Sequence, residues 1–164
     1  MKNGNTIRPA REEDLTEIAE IFNWYVQHSF AAYPVNGVEP GFFQAIFRER
    51  VHYPLYILEK ENDVIGFGMI RPYLPFPSFR RTAQISYFIR DGYTRKCLGT
   101  MLLDRLISEA RTQGISILLA NVSSHNEPSL KFHKKHGFIE CGRLKGIGEK
   151  FNERFDVVWM RKEV

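Results

Sequence analysis

Thr94-Arg95-Lys96-Cys97-Leu98-Gly99-Thr100 places two cations, a thiol and a glycine between an apolar run and a stretch with helical spacing. A strand feeding a short loop that opens a helix gathers free backbone N–H groups and the positive end of the helix dipole at one point. Such a point suits a pyrophosphate. The same residues also make an ordinary turn with solvated basic side chains, and this stretch alone slightly favours that plainer reading. His133, in "LKFHKKHGF", is a second chemical candidate, because an imidazole exchanges protons near neutral pH. On its own it equally fits a surface helix beside Lys134, Lys135 and His136. Cys97 and Cys141 have neither metal-ligand nor CxxC spacing, which fits a reducing compartment and no metal.

The elements that must hold these residues read as follows. Thr6–Arg8 is a short strand, and Leu15, Ile18, Ala19, Phe22 and Val26 keep helical spacing behind the acidic start Glu12-Glu13-Asp14. Residues 40–52 predict a second helix with Phe43, Ile46 and Phe47 inward. Leu55–Glu59 and Val64–Ile70 form a hairpin across "KEND", and Pro72, Pro75 and Pro77 mark an aromatic-rich loop. Ala83–Ile89 is a strand, Leu98–Thr112 an amphipathic helix, and Ile115–Val122 a nearly all-apolar buried strand. Asn126 can cap a helix running to about His136, which Gly137 ends, and strands follow near Phe138–Leu144 and Phe155–Arg161. This order predicts a single α/β domain over residues 1–164, with its ligand at the strand C-termini. No apolar stretch has membrane-spanning length and the start has no apolar signal region, so a cytoplasmic location is expected. The net charge of +4 is spread along the chain, which suits a phosphorylated ligand and argues against nucleic acid.

"YFIRDGYTRKCLGTMLLDRLISEARTQG", "NEPSLKFHKKHGF" and "GEKFNERFDVVWM", in that order, resemble the GCN5-related N-acetyltransferases (GNAT). Within that superfamily the chain is most similar to the phosphinothricin and methionine-sulfoximine N-acetyltransferases. The likeness runs from "TIRPAREEDLTEIAEIFNWYV" through nearly the whole chain. It implies an α/β fold with a mixed, splayed central sheet flanked by helices and acetyl-CoA between the fourth and fifth strands. It also implies transfer of an acetyl group to the amine of a small molecule by direct attack, in a homodimer. Tyr87, Phe88 and Ile89 would pair with the pantetheine arm, Arg95, Lys96, Cys97, Leu98, Gly99 and Thr100 would hold the pyrophosphate, and Asn126 and His133 would lie near the sulfur. Tyr33, Leu74, Pro75, Phe76, Arg80, Ile85 and Ser86 would line the acceptor side.

Several departures from the family pattern bear on activity. Cys97 replaces the first glycine of the pyrophosphate loop, which weakens CoA binding unless its φ is negative, and Thr94 lacks the usual long side chain. Gln84 stands where relatives carry a Glu; it hydrogen-bonds an amine or a water but takes no proton. Asn36, near Tyr33, likewise replaces an acid. The family's Arg-Pro-Phe aligns with Leu74-Pro75-Phe76, or else Arg71-Pro72-Tyr73 is that motif followed by an insertion. A catalytically weak acyl-CoA-binding module with a sensing role is therefore the competing expectation.

Overall fold

The computed structural model describes residues 4–94 and 97–164; the expectations for Arg95 and Lys96 lie outside them. Seven strands form one sheet in the order β1-β2-β3-β4-β5-β7-β6. They are β1 (Asn5–Pro9), β2 (Leu55–Lys60), β3 (Asp63–Pro72), β4 (Thr82–Ile89), β5 (Ile117–Ser123), β6 (Ile139–Lys150) and β7 (Glu153–Glu163). Every neighbouring pair is antiparallel except β4–β5.

Helices cover both faces because the strands are apolar on both. On one face α1 (Leu15–His28) sets Ile18, Phe22 and Val26 against Leu55, Phe67 and Met69. On the other, α3 (Leu98–Thr112) sets Leu103, Leu106 and Ala110 against Ile85, Leu118 and Ala120. Between them in the chain lies α2 (Gln44–Arg48), and α4 (Glu127–Lys135) follows β5. Arg8 fastens β1 to the start of α1, donating from both terminal nitrogens to the buried Asp14 at 2.7 Å and from Nε to Glu59 at 2.8 Å.

Three expectations change in extent. The helix expected over 40–52 is a relay of short turns: a 3-10 turn Pro40–Phe43, the single α turn of α2, and a 3-10 turn Glu49–Val51. Phe43 and Phe47 are buried as expected, so the apolar anchors hold although the backbone tightens. The fifth strand starts at Ile117, because the Ile115 N–H is used to close α3 on Ala110. The last hairpin is far longer than expected. Phe151 and Asn152 both take positive φ (53° and 60°), the geometry of a two-residue turn that matches strand twist. β6 is exposed over nearly its whole length and contains Gly142, Gly146 and Gly148, so it carries no alternating apolar signal.

Candidate active site

β4 and β5 are paired only over Thr82–Gln84 and Ile117–Leu119, and beyond these residues the strands part. The hydrogen-bond phase of β4 determines what faces the opening. Arg90 N–H bonds Ile65 O at 2.8 Å, Tyr73 N–H bonds Thr82 O at 3.5 Å, and Arg71 lies opposite Gln84. By antiparallel alternation the even residues of β4 direct their main-chain groups at β3, and the odd residues direct theirs away from it. Ile85, Tyr87 and Ile89 therefore present N–H and C=O groups to the gap. The Ile89 carbonyl already accepts the Tyr25 hydroxyl at 2.6 Å. Phe88 differs from Tyr87 and Ile89: its main chain belongs to the β3 ladder, and its ring packs against Phe22 and Tyr25 of α1.

The same gap leads to the start of α3. Leu98 is buried there, and the first N–H groups of the helix have no intrahelical acceptor. Cys97 caps this end with φ 60° and ψ 8°, in the left-handed region where glycine is at ease and an L side chain is strained. Cys97 thus holds a backbone conformation that a glycine adopts without strain. Thr100 Oγ1 lies 3.1 Å from His136 Nε2, linking the first turn of α3 to the end of α4. Asn126 caps α4, its Oδ1 accepting the Ser129 N–H at 3.3 Å. An extended amide arm ending in a diphosphate fits this arrangement: strand-edge donors and acceptors along the gap, free N–H groups at its end.

On this side His133 is buried and polar. Its Nδ1 lies 2.7 Å from the Ser129 carbonyl oxygen, which can only accept, so Nδ1 carries the proton. Nε2 then accepts the Tyr87 hydroxyl at 2.7 Å. Burial holds the His133 pKa below its ordinary value and drives that of Tyr87 strongly upward. The pair is neutral, and its mobile proton stands on the tyrosine oxygen rather than on His133 Nε2.

The opposite face of β4 is built of side chains. Gln84 Oε1 accepts from Asn121 Nδ2 at 3.4 Å where the strands begin to part. Asn121 is in turn opposite Trp159, whose ring meets Tyr73 edge-on at 6.2 Å. Arg71 completes this row from β3, and its Nε is the one buried side-chain polar atom without a hydrogen-bond partner among the described residues. Burial lowers the guanidinium pKa from its usual value. Ser86 is half-buried on this face, whereas the Ile85 side chain is buried against α3, so Ile85 can serve the gap only through its main chain.

A wall beside this face joins distant parts of the chain. Lys150 is buried and donates to the carbonyls of Ser29 and Ala32, both at 2.7 Å, with the Phe151 ring 4.9 Å from the ammonium. The segment it holds carries Tyr33, which stacks on Phe155 at 5.7 Å and whose hydroxyl burial pushes up to about 12. Phe155 lies directly on Gly148, where an added Cβ would come within 2.2 Å of its ring. Leu74, Pro75 and Phe76 are exposed in the loop after β3. Arg80 lines another groove, of about 560 Å³, with His52, Tyr53, Gln113 and Ile115 at the closed, amino-terminal ends of β4 and β5. Sequence reasoning missed Asn121, Trp159 and Lys150, and weighed Arg71 only as a motif alternative. A lone Asn inside the apolar "ISILLANV" was the available signal for the first; nothing local marks Lys150.

A parallel pair that opens halfway, with strand-edge amides along the opening and a helix start at its end, defines an acyltransferase that seats an acyl-CoA thioester. The chain belongs to the acetyltransferase (GNAT) family, whose pattern matches residues 18–138. It is 32% identical over 161 residues to the L-amino acid N-acyltransferase MnaT of Escherichia coli K12, covering 97% of this chain and 94% of the relative. It is 33% identical over 159 residues to an L-methionine sulfoximine/L-methionine sulfone acetyltransferase of Pseudomonas paraeruginosa, covering 95% and 92%. Among solved structures, yncA from Salmonella typhimurium with its cofactor acetyl-CoA superposes with a TM-score of 0.91 at 31% identity, covering 98% and 94%. The chain is an acetyl-CoA-dependent N-acyltransferase, with the mixed, splayed sheet that the resemblance implied.

Proposed function

We propose that the acceptor is a small amino-acid analogue of the methionine sulfoximine type, acetylated on its α-amine by direct attack. The carrying observation is the polar row Arg71–Gln84–Asn121 beside the mouth of the gap, backed by the substrates named for relatives of near full-length similarity. Acetyl-CoA supplies an activated acetyl thioester. In this reading the N–H groups of Ile85 and Tyr87, which face the gap, polarise its carbonyl. Gln84 orients the amine without taking its proton, and β4 and β5 contain no acid that could. The amine must therefore arrive neutral, which makes the rate rise towards alkaline pH. Collapse of the adduct breaks the C–S bond, and the proton shed by the amine nitrogen passes through solvent to the departing thiolate; the Tyr87–His133 pair is the neutral polar group on that side.

The protein acts as a cytoplasmic homodimer in this reading. Cys97 and Cys141 are both free and exposed, as in a reducing compartment. The outer edge strand β6 exposes Ile139, Leu144 and Ile147, apolar surface that a second copy would cover. The test is CoA release with a panel of amines across pH, beside calorimetry of CoA binding and sedimentation for the dimer. Turnover of amino-acid analogues rising with pH supports the proposal. CoA binding without turnover at any pH would make the chain an acyl-CoA-binding module instead.

A further inference from the structure

We propose that Arg71 is the anchor for the acceptor's carboxylate, entering the site from β3 rather than from the loop that follows it. The inference rests on the transferase reading above and names one contact within it. Arg71 shares a ladder pair with Gln84, so their Cβ atoms stand about 4.5–5.5 Å apart on one sheet face. Gln84 in turn touches Asn121 where the gap opens. Arg71 thus springs from the strand next to the one that carries Gln84, and its long side chain has the reach to meet a carboxylate whose amine lies at Gln84.

Among the described residues no carboxylate is paired with this charge. Its ladder partner is an amide, and from Val64 onward β3, β4 and β5 contain no Asp or Glu. Asp156 on β7 is held by Arg143 and the Gly146 N–H. Leu74 in the loop carries no charge and is exposed. A carboxylate at position 84 would pair with Arg71; glutamine leaves it open to a ligand. A guanidinium is planar and matches the two oxygens of a carboxylate, and the buried Nε of Arg71 has no hydrogen-bond partner in the protein.

The experiment is calorimetry of L-methionine sulfoximine and its methyl ester, each titrated into CoA-saturated protein, wild type and Arg71→Gln. The expected result is that wild type prefers the free acid by roughly 10- to 100-fold, the range for a charge-assisted hydrogen bond. Arg71→Gln should remove that preference without lowering Tm or CoA affinity. Equal binding of acid and ester by wild type, a preference surviving in Arg71→Gln, or no binding of either ligand would each overturn the proposal. The wild-type comparison needs no variant to fold. Acid-selective binding without acetyl transfer would keep the anchor and overturn the transferase reading of the acceptor.

Discussion

The two sides of β4 offer a ligand different kinds of group. Towards α3 and α4 the groups on offer are main-chain: the amides of Ile85 and Tyr87 and the first N–H groups of a helix. Towards α1 they are side chains: Arg71, Gln84, Asn121 and, behind them, the loop that Lys150 fastens. Main-chain recognition survives substitution, so the start of α3 can carry Cys97 in a left-handed conformation suited to glycine and still present its N–H groups. Side-chain recognition changes with each replacement, and here acceptor choice can drift while the fold and the donor stay fixed.

The largest expected break in this comparison comes from Lys150→Met. It strands the buried carbonyl of Ala32 and the half-buried one of Ser29 and should cost about 2–3 kcal/mol, lowering Tm by about 5–10 °C. Acceptor KM should rise while the KM for acetyl-CoA holds; a parallel rise in both would show that the sides are not independent. Next is Gln84→Glu. Wild-type kcat/KM should climb about tenfold per pH unit below the ammonium pKa of the acceptor. A carboxylate at position 84 should flatten that climb near neutrality, by about 10²-fold at most. It should also raise acceptor KM, because it competes for Arg71. Cys97→Gly removes left-handed strain from the donor side alone, with about 1 kcal/mol gained in stability and tighter CoA binding by calorimetry. Acceptor KM should not move. The smallest effect concerns acid stability. Burial lowers the folded pKa of His133, so its contribution is full above the unfolded value of about 6.5. As pH falls below that, the unfolded chain gains a proton that the folded chain resists, and stability declines. His133→Gln should show a shallower fall of Tm between pH 7 and pH 5 than wild type.

Those differences also decide what could be read before the structure. The start of α3 and the cap at Asn126 follow from local patterns: an apolar strand, a loop, a helix with Leu102, Leu103 and Leu106 on one face. Each is set by neighbours within a few residues and was legible; the gap between β4 and β5, strands joined through a helix, was expected only from the family resemblance. The acceptor side depends on which residues of separate strands come into register. Arg71 and Gln84 become partners only through the β3–β4 ladder, and no spacing along the chain announces that pairing. The length of β6 was hidden because its residues face solvent and glycines interrupt them, which removes the alternation that reveals a half-buried strand. Whether Cys97 kept a positive φ was a question of backbone geometry that residue type alone leaves open.

The bonds from Lys150 to Ser29 and Ala32 span 121 and 118 residues. A chain that grows from its N-terminus can build α1 and the β2–β3 hairpin, and then close β4 onto α3 and β5, before residue 150 exists. Contacts so distant in sequence form late, because a long loop must close before they return any stabilisation. The acceptor wall is thus finished only when the final hairpin docks. A nascent or truncated chain lacking that hairpin would have somewhere to put its acetyl donor, but its row Arg71–Gln84–Asn121 would stand without the wall that encloses a recipient.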